Sequence, residues 1–338
     1  MRALLVGCGA VGGRTARQLL SVGLGGADGA VFDDIVLLDP KPGIASDLAT
    51  TIGIPSRSVP DSADWAVLAP DVVILGGGCG HITMAERALS IGAHVVSVSD
   101  SVEDVQGLLG LDARACQAGR TVVIGAGFAP GLTDILVCHA AAEFDEVDEV
   151  HVAKVGTAGP SCARQHHRAL ASDALDWRDG AWVTHRGGSG RELCWFPDPI
   201  GGADCYRAAL PDALLLHPLI PTAQRITARV SATRRDRLTA RLPMMRKPHL
   251  EAGPGAIRVE VRGRKNGMAV VAVMGAMDRP SVAAGAVAAL AAGAAVSGRL
   301  SRCGADGLGA LVADPVAFLA ELARRGVKAA RFEGNQDR

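Results

Sequence analysis

One stretch near the beginning of the chain constrains the fold more than any other. Residues 3–20, ALLVGCGAVGGRTARQLL, run from an apolar strand pattern, through a Gly-x-Gly-x-x-Gly turn, into a helical pattern. In such a turn the first glycine permits a tight bend, the second lets the backbone approach a pyrophosphate, and the third lets the helix pack against the strand. Free N–H groups where the helix begins favour an anion, with a dipole contribution of roughly 0.3–2 kcal/mol. The residues predicted to contact a dinucleotide here are Gly7, Gly9, Ala10, Val11 and Gly12.

Apolar strand patterns alternate with helical patterns through the first part of the chain. The strand patterns lie at residues 2–6, 35–39, 56–60, 72–76, 94–100 and 121–125. This alternation predicts a parallel sheet whose crossover connections are right-handed.

The pattern changes from about residue 145. Segments rich in alternating or β-branched residues lie at 149–156, 181–187, 224–232 and 256–275. They predict a mixed or antiparallel sheet with a few helices. The run RKNG at 264–267 predicts a hairpin turn, because Asn-Gly tolerates the positive φ that such turns need. Helical patterns return after Asp278.

Composition excludes several kinds of partner. The 338 residues suggest about two domains, and Lys+Arg 35 balances Asp+Glu 35, so no basic surface for nucleic acid is expected. Aromatic residues make up only 3%, which argues against stacking of single-stranded nucleic acid. The apolar run at 282–296 is shorter than the roughly 20 residues that span a bilayer, so a close-packed helix is predicted instead of a membrane anchor.

The cysteines indicate a reducing compartment. None of the 8 cysteines forms a Cys-x-x-Cys pair, so no structural metal site is predicted. Met1 leads directly into an apolar strand pattern, without the features of a secretory signal. These observations predict a cytoplasmic protein with reduced thiols.

Two further segments of the first domain suit a dinucleotide. Asp39 ends the second strand pattern, where a carboxylate accepts hydrogen bonds from ribose hydroxyls and repels a 2′-phosphate, so NAD is favoured over NADP. Lys41 could offset that charge, and Asp39 could instead only cap a loop. Gly76, Gly77 and Cys79 follow the fourth strand pattern, at the edge that borders the nicotinamide. The alternative for this glycine-rich segment is a flexible loop.

A second glycine turn lies within residues 121–137, TVVIGAGFAPGLTDILV. It does not suit a second pyrophosphate, because Pro130 lacks a donor N–H and Phe128 adds bulk. It is predicted to turn the chain out of the sheet, with Phe128 and Pro130 shaping the wall near the nicotinamide.

This second turn carries a resemblance to a known family. Its Gly-x-x-Pro-Gly-Leu segment resembles that of saccharopine dehydrogenase-like proteins, the saccharopine reductase group. Five other stretches resemble the same family: GCGAVGGRTARQL, AERALSIGAHVVSVSD, PDALLLHPLIPTAQRITARV, IRVEVRGRKNG and DPVAFLAELARRGV.

The resemblance implies an α/β fold. A Rossmann doubly wound parallel sheet would occupy residues 1–133, a mixed α/β substrate and dimerisation domain residues 134–277, and C-terminal helices residues 278–338, returning to the first domain. It also implies NAD(P)-dependent reduction of an imine, or the reverse oxidation of an amine, on an amino-acid-like or polyamine-like substrate, by a homodimer.

Imine reduction requires a proton donor near the nitrogen, and three residues are candidates for the catalytic site. His81 follows the glycine loop and has a pKa range suitable for proton transfer. Asp100 ends the fifth strand pattern and could orient the substrate, and Lys154, in a strand pattern of the second domain, could be a proton donor or a carboxylate ligand. Each has a plainer interpretation. His81 and Asp100 could cap helices, and Lys154 could be a solvated side chain.

Substrate carboxylates would require cations. Arg164, His167 and Arg168 stand within five residues and could bind carboxylates through bidentate arginine, or could form a polar helix face. Arg246, Lys247 and His249 form a similar patch.

Two other functions stay open at this point. A dehydrogenase for an aldehyde or hydroxy acid could use Cys79 as a thioester-forming nucleophile. A non-catalytic dinucleotide-binding protein could be built on the same fold.

Overall fold

The computed structural model describes residues 1–20, 32–78, 80–244, 247–250 and 252–332. Two residues of interest, Cys79 and Arg246, lie outside the described residues.

The elements follow one another as alternating strands and helices, then mostly strands, then helices again. The strands are β1 (Arg2–Val6), β2 (Asp34–Leu38), β3 (Ser56–Ser58), β4 (Val72–Leu75), β5 (His94–Ser97), β6 (Thr121–Ile124), β7 (Glu146–Val155), β8 (Ala174–Arg178), β9 (Ala181–His185), β10 (Glu192–Phe196), β11 (Gly201–Arg207), β12 (Arg225–Ser231), β13 (Gly255–Lys265), β14 (Met268–Asp278), β15 (Gly304–Gly307) and β16 (Ala329–Arg331). The helices are α1 (Ala10–Leu19), α2 (Ile44–Ile52), α3 (Trp65–Leu68), α4 (His81–Ser90), α5 (Val102–Leu109), α6 (Asp112–Gln117), α7 (Leu132–Ala141), α8 (Pro160–Ala171), α9 (Asp212–Leu219), α10 (Arg234–Thr239), α11 (Pro280–Val296), α12 (Leu308–Leu311) and α13 (Pro315–Arg324).

The chain forms two compact units. The first contains Met1–Gly131 and Ser281–Asp314, and the second contains Leu132–Pro280 together with the residues from Pro315 onward. The sequence analysis placed the whole of 278–338 in one returning segment, whereas this grouping divides that segment after Asp314.

The first unit has the predicted parallel sheet. Among the described residues, seven strands pair in the order β15-β6-β5-β4-β1-β2-β3, all parallel where they pair. Residues 72–75 and 122–124 are fully buried, as expected for a parallel sheet covered on both faces. The Rossmann-like doubly wound arrangement predicted from the sequence is therefore confirmed.

Helix α11 is the close-packed helix predicted from residues 282–296. A Cβ added at Gly285 would lie 2.6 Å from the Cβ of Arg14, so the backbones of α11 and α1 approach closely there. None of the helices in the described ranges is long and apolar enough to cross a membrane.

The second unit has the predicted mixed sheet. Its strand order is β10-β11-β12-β7-β13-β14-β16, with β8 pairing to β12 and β9 to β8. β7 pairs with β12 in parallel and with β13 in antiparallel orientation. The β13–β14 hairpin turns at Asn266 (φ 52°) and Gly267 (φ 76°), which confirms the turn predicted for RKNG.

Candidate active site

The first glycine turn connects β1 to α1 with a helix start that carries no capping side chain. Gly9 precedes α1, its side-chain position is open, and no acidic residue lies in the first turn of the helix. A Cβ added at Gly9 would meet no described atom within 4 Å. This helix start therefore offers backbone N–H groups and open space to an anion, which fits the pyrophosphate of a dinucleotide.

The other glycines of the turn are fixed by close backbone contacts. Gly7 has a φ of 93°, and a Cβ there would lie 2.5 Å from the nitrogen of Gly77. A Cβ at Gly12 would lie 1.9 Å from the carbonyl oxygen of Gly7, and one at Gly76 would lie 2.9 Å from the same oxygen. Gly76 and Gly77 thus pack against the first turn, a contact that argues against the flexible-loop alternative for these two residues.

Asp39 binds backbone groups on two sides. Its Oδ2 accepts a hydrogen bond of 2.7 Å from the N–H of Cys8, and its Oδ1 accepts one of 2.9 Å from the N–H of Lys41. The carboxylate therefore joins the first turn to the end of β2. Each oxygen keeps a further lone pair, so the predicted bonding to ribose hydroxyls is compatible with these contacts.

Cys8 lies inside the same turn. Burial of the thiol, reinforced by the nearby charge of Asp39, raises its pKa to about 12. A thiol with this pKa stays protonated at neutral pH and is a packing group instead of a nucleophile.

His81 is the first residue of α4 and is almost fully buried, with 1% of its surface exposed. Its Nε2 lies 2.9 Å from the carbonyl oxygen of Gly77, and its Nδ1 lies 2.8 Å from Oγ of Ser97. A carbonyl only accepts, so Nε2 carries the proton and Nδ1 accepts from the Ser97 hydroxyl. Burial lowers the pKa of the ring, although the Gly77 carbonyl and the charges of Asp104 and Asp100 act in the opposite direction.

The neutral ring of His81 thus joins the glycine loop that carries Gly77 to strand β5, which is a structural role. The role of His81 as a proton donor stays a prediction.

A polar network continues from Ser97 beyond the end of β5. Oγ of Ser97 accepts from the N–H of Ser99 at 3.3 Å, and Oγ of Ser99 donates to Asp104 at 2.7 Å. Asp100 lies between these serines and α5 and is half-buried. The sequence analysis missed Ser97, Ser99 and Asp104, although the alternating serines of SVSDS were a visible signal.

The second glycine turn folds back on itself. The N–H of Gly127 donates to the carbonyl oxygen of Pro130 at 3.1 Å, and a Cβ at Gly131 would lie 2.2 Å from the carbonyl oxygen of Gly125. Phe128 is 7% exposed and forms part of this compact loop. The first of the two segments that form the first unit ends at Gly131, and α7 begins at Leu132 in the second unit. The contact of Phe128 with a nicotinamide stays a prediction.

Lys154 lies on β7 of the second unit and is only 4% exposed. The solvated-lysine interpretation is therefore wrong. By the period of a strand, Lys154 shares one sheet face with Val150 and Val152, which are also buried. A role for Lys154 in proton transfer stays a prediction.

Two buried carboxylates of the second unit meet one hydroxyl. Oγ1 of Thr133 lies 3.3 Å from Oδ1 of Asp134 and 3.3 Å from Oδ1 of Asp212, and all three residues are 0% exposed. Thr133 and Asp134 lie in the first turn of α7. The sequence analysis missed Asp212, because the segment PDALLL looks like an ordinary helix start.

The predicted carboxylate-binding residues lie together on the second unit. Arg164, His167 and Arg168 of α8, with Arg241, line a groove of about 790 Å³. Within the described part of the chain, this lining includes no acidic residue. Nε2 of His167 donates to the carbonyl oxygen of Leu242 at 2.8 Å. The groove suits an anion but is also a polar helix face, so substrate binding there stays a prediction.

Comparison with known proteins adds to this geometry. No protein-family model and no curated protein sequence matches the chain. Among solved structures, saccharopine dehydrogenase (L-Glu forming) from Saccharomyces cerevisiae is similar over 98% of this chain and 100% of its own, with 16% identity and a TM-score of 0.68. The amine dehydrogenase from Mycobacterium smegmatis is similar over 93% and 98%, with 12% identity and a TM-score of 0.52. The chain has a saccharopine dehydrogenase-like fold.

Proposed function

We propose that this chain is an NAD(P)-dependent oxidoreductase that acts on the carbon–nitrogen bond of an amino-acid-like or polyamine-like substrate. One observation carries the dinucleotide part of the proposal. The first glycine turn combines an uncapped helix start at Gly9 with a carboxylate, Asp39, at the end of the neighbouring strand.

Different residues of the first unit would bind different parts of the cofactor. Backbone N–H groups of Ala10, Val11 and Gly12 would hold the pyrophosphate, and Asp39 would accept bonds from the adenosine ribose, which favours NAD. Gly76 and Phe128 would border the nicotinamide, the group that supplies or accepts a hydride when it is bound.

The carbon–nitrogen part of the proposal rests on an analogy of fold together with the chemistry of one groove, because fold alone does not determine function. Two solved structures of this fold are a saccharopine dehydrogenase and an amine dehydrogenase. The groove at Arg164 and Arg168 supplies guanidinium groups of the kind that bind a substrate carboxylate. A homodimer is proposed on the sequence resemblance, and a cytoplasmic location on the scattered cysteines.

The first test is titration of the purified chain with NADH and, separately, NADPH, followed by fluorescence of the reduced nicotinamide. We expect NADH to bind more tightly. Preference for NADPH would contradict the role of Asp39. Bound NADH should then be oxidised when pairs of keto acids and amines are supplied.

A Gly9→Ala variant tests the turn itself. Because an added methyl group meets no described atom within 4 Å, the variant should fold normally, yet the methyl would occupy the space of the pyrophosphate. We expect about a tenfold loss of NADH affinity, equivalent to about 1.4 kcal/mol. Gly253→Ala is the matched control, since a Cβ there also meets no described atom within 4 Å and lies far along the chain in the second unit.

Two results would favour the alternatives. NADH binding without turnover on any carbonyl and amine pair would indicate a non-catalytic dinucleotide-binding protein. Turnover of an aldehyde or hydroxy acid that is abolished in Cys79→Ala would indicate a dehydrogenase for those substrates.

A further inference from the structure

A cavity of the first unit lies at the edge of the sheet opposite the first glycine turn. Its volume is about 250 Å³, and its lining includes Met1, Asp71, His94 and Arg120. These residues stand at the amino ends of β1, β4, β5 and β6, whereas the glycine turn follows the carboxyl end of β1. The cavity is therefore separate from the proposed dinucleotide site.

The backbone of β6 fixes the tautomer of His94. The N–H of Thr121 donates a hydrogen bond of 3.1 Å to Nδ1 of His94. A backbone N–H can only donate, so Nδ1 carries no proton. The neutral ring then has its proton on Nε2. Burial, with a contribution from the charge of Arg120, lowers the pKa of the ring to about 4, so the ring is neutral at physiological pH.

With this tautomer, the Nε2–H donor of His94 faces an N–H donor of Arg120. Nη1 of Arg120 lies 3.4 Å from Nε2 of His94, and neither atom has a lone pair to offer the other. Nε of Arg120 is buried and has no hydrogen-bond partner among the described residues. A buried donor without an acceptor costs about 1–3 kcal/mol, so this arrangement favours an acceptor beyond the described residues.

The other charges at the cavity are already engaged. Oδ2 of Asp71 accepts from the N–H of Arg2 at 2.7 Å, and the amino group of Met1 donates to Asp33 at 2.8 Å. Asp71 lines the same cavity, but no ion pair joins its carboxylate to Arg120 among the described residues.

We propose that this cavity binds a small oxyanion, a carboxylate or a phosphate, between Nε2 of His94 and the guanidinium of Arg120. An oxygen with two lone pairs would accept from both groups at once and would relieve the contact between donors. The site does not depend on dinucleotide binding, and it would be present even if the chain catalyses no reaction.

The test uses the full-length chain labelled with ¹⁵N in histidine. In the free protein the nitrogen chemical shifts of His94, assigned with a His94→Gln variant, should show the Nε2–H tautomer. Inorganic phosphate and acetate are then titrated in separate experiments at constant ionic strength. We expect a saturable shift of the Nε2 resonance with at least one of them, and the comparison tells which class of oxyanion the site takes.

Arg120→Gln should weaken that binding at least about tenfold, because it removes the charged partner. Arg57→Gln is the matched control, since it removes one exposed guanidinium of the same unit that binds Asp34 instead of lining the cavity. If Arg120→Gln fails to fold, Arg120→Lys, which keeps the charge but lacks Nε, should weaken binding in the same direction.

Three results would overturn the proposal. They are an Nδ1–H tautomer in the free protein, no saturable shift with either anion, or equal binding by the Arg120 variants and the wild type. Phosphate that binds only at the glycine turn would leave the His94 resonance unchanged, so the two sites are distinguished.

Discussion

The two glycine turns of the first unit follow similar strands but use their glycines in different ways. In the first turn, the glycines at 7 and 12 bring backbone segments together while Gly9 leaves the start of α1 open. In the second, the backbone groups bond within the loop, as Gly127 does with Pro130. A glycine-rich sequence after a strand therefore has two outcomes, an open helix start that suits a ligand or a closed loop that redirects the chain.

The largest effect that separates the two turns is expected at Gly131. Gly131→Ala would place a Cβ within 2.2 Å of the Gly125 carbonyl oxygen at a φ of 122°, so both overlap and backbone strain oppose it. We expect a loss of about 4 kcal/mol in the free energy of unfolding, measured with urea. Gly119→Ala, with a φ of 62° and open space, is the control for strain alone. A similar loss in both variants would mean that the closed loop does not depend on the close contact.

A somewhat smaller effect is expected at Gly12 in the first turn. Gly12→Ala would place a Cβ 1.9 Å from the Gly7 carbonyl oxygen, and we expect a loss of about 3 kcal/mol in urea unfolding. Gly13→Ala is the control on the same helix, because its nearest contact would be an ordinary 3.6 Å. It should be neutral or slightly stabilising, since alanine favours a helix. Equal losses at both positions would contradict the packing assigned to the turn.

The smallest effect concerns His81, which holds the loop that packs on the first turn. Its pKa is lowered in the folded chain, so the unfolded chain binds the proton more readily and stability falls as the pH drops below about 6.5. The contribution of His81 to the free energy of unfolding is complete above that pH. Below it, this contribution falls by at most about 1.4 kcal/mol per pH unit.

His81→Gln should reduce this pH dependence, measured as urea unfolding between pH 7.5 and 5. Ser97→Ala removes the hydrogen bond to Nδ1 but keeps the ring buried, so it should lower stability at neutral pH and retain the pH dependence. An unchanged pH profile in His81→Gln would show that the ring does not titrate with folding.

Local sequence was sufficient to predict much of the fold. The strand, turn and helix of the first glycine motif depend on neighbouring residues, and so does the hairpin turn at Asn266 and Gly267. Periodicity also separated the parallel sheet of the first unit from the mixed sheet of the second.

Contacts between distant residues could not be predicted in this way. The packing of Gly76 on Gly7, the bond between His81 and Ser97, and the meeting of Thr133 with Asp212 depend on which elements become neighbours in three dimensions. Burial of Lys154 is of the same kind, since a strand pattern does not indicate which of its faces is covered.

The position of the edge strand β15 in the sequence affects how the nascent chain folds during synthesis. It pairs with β6 in the first unit, yet between them in sequence lies nearly all of the second unit. As the chain leaves the ribosome, β6 has no neighbour on that side until residues 304–307 have been synthesised. An unpaired strand edge is a template for pairing with other chains, so nascent chains that stop before residue 304 should aggregate more readily than complete ones.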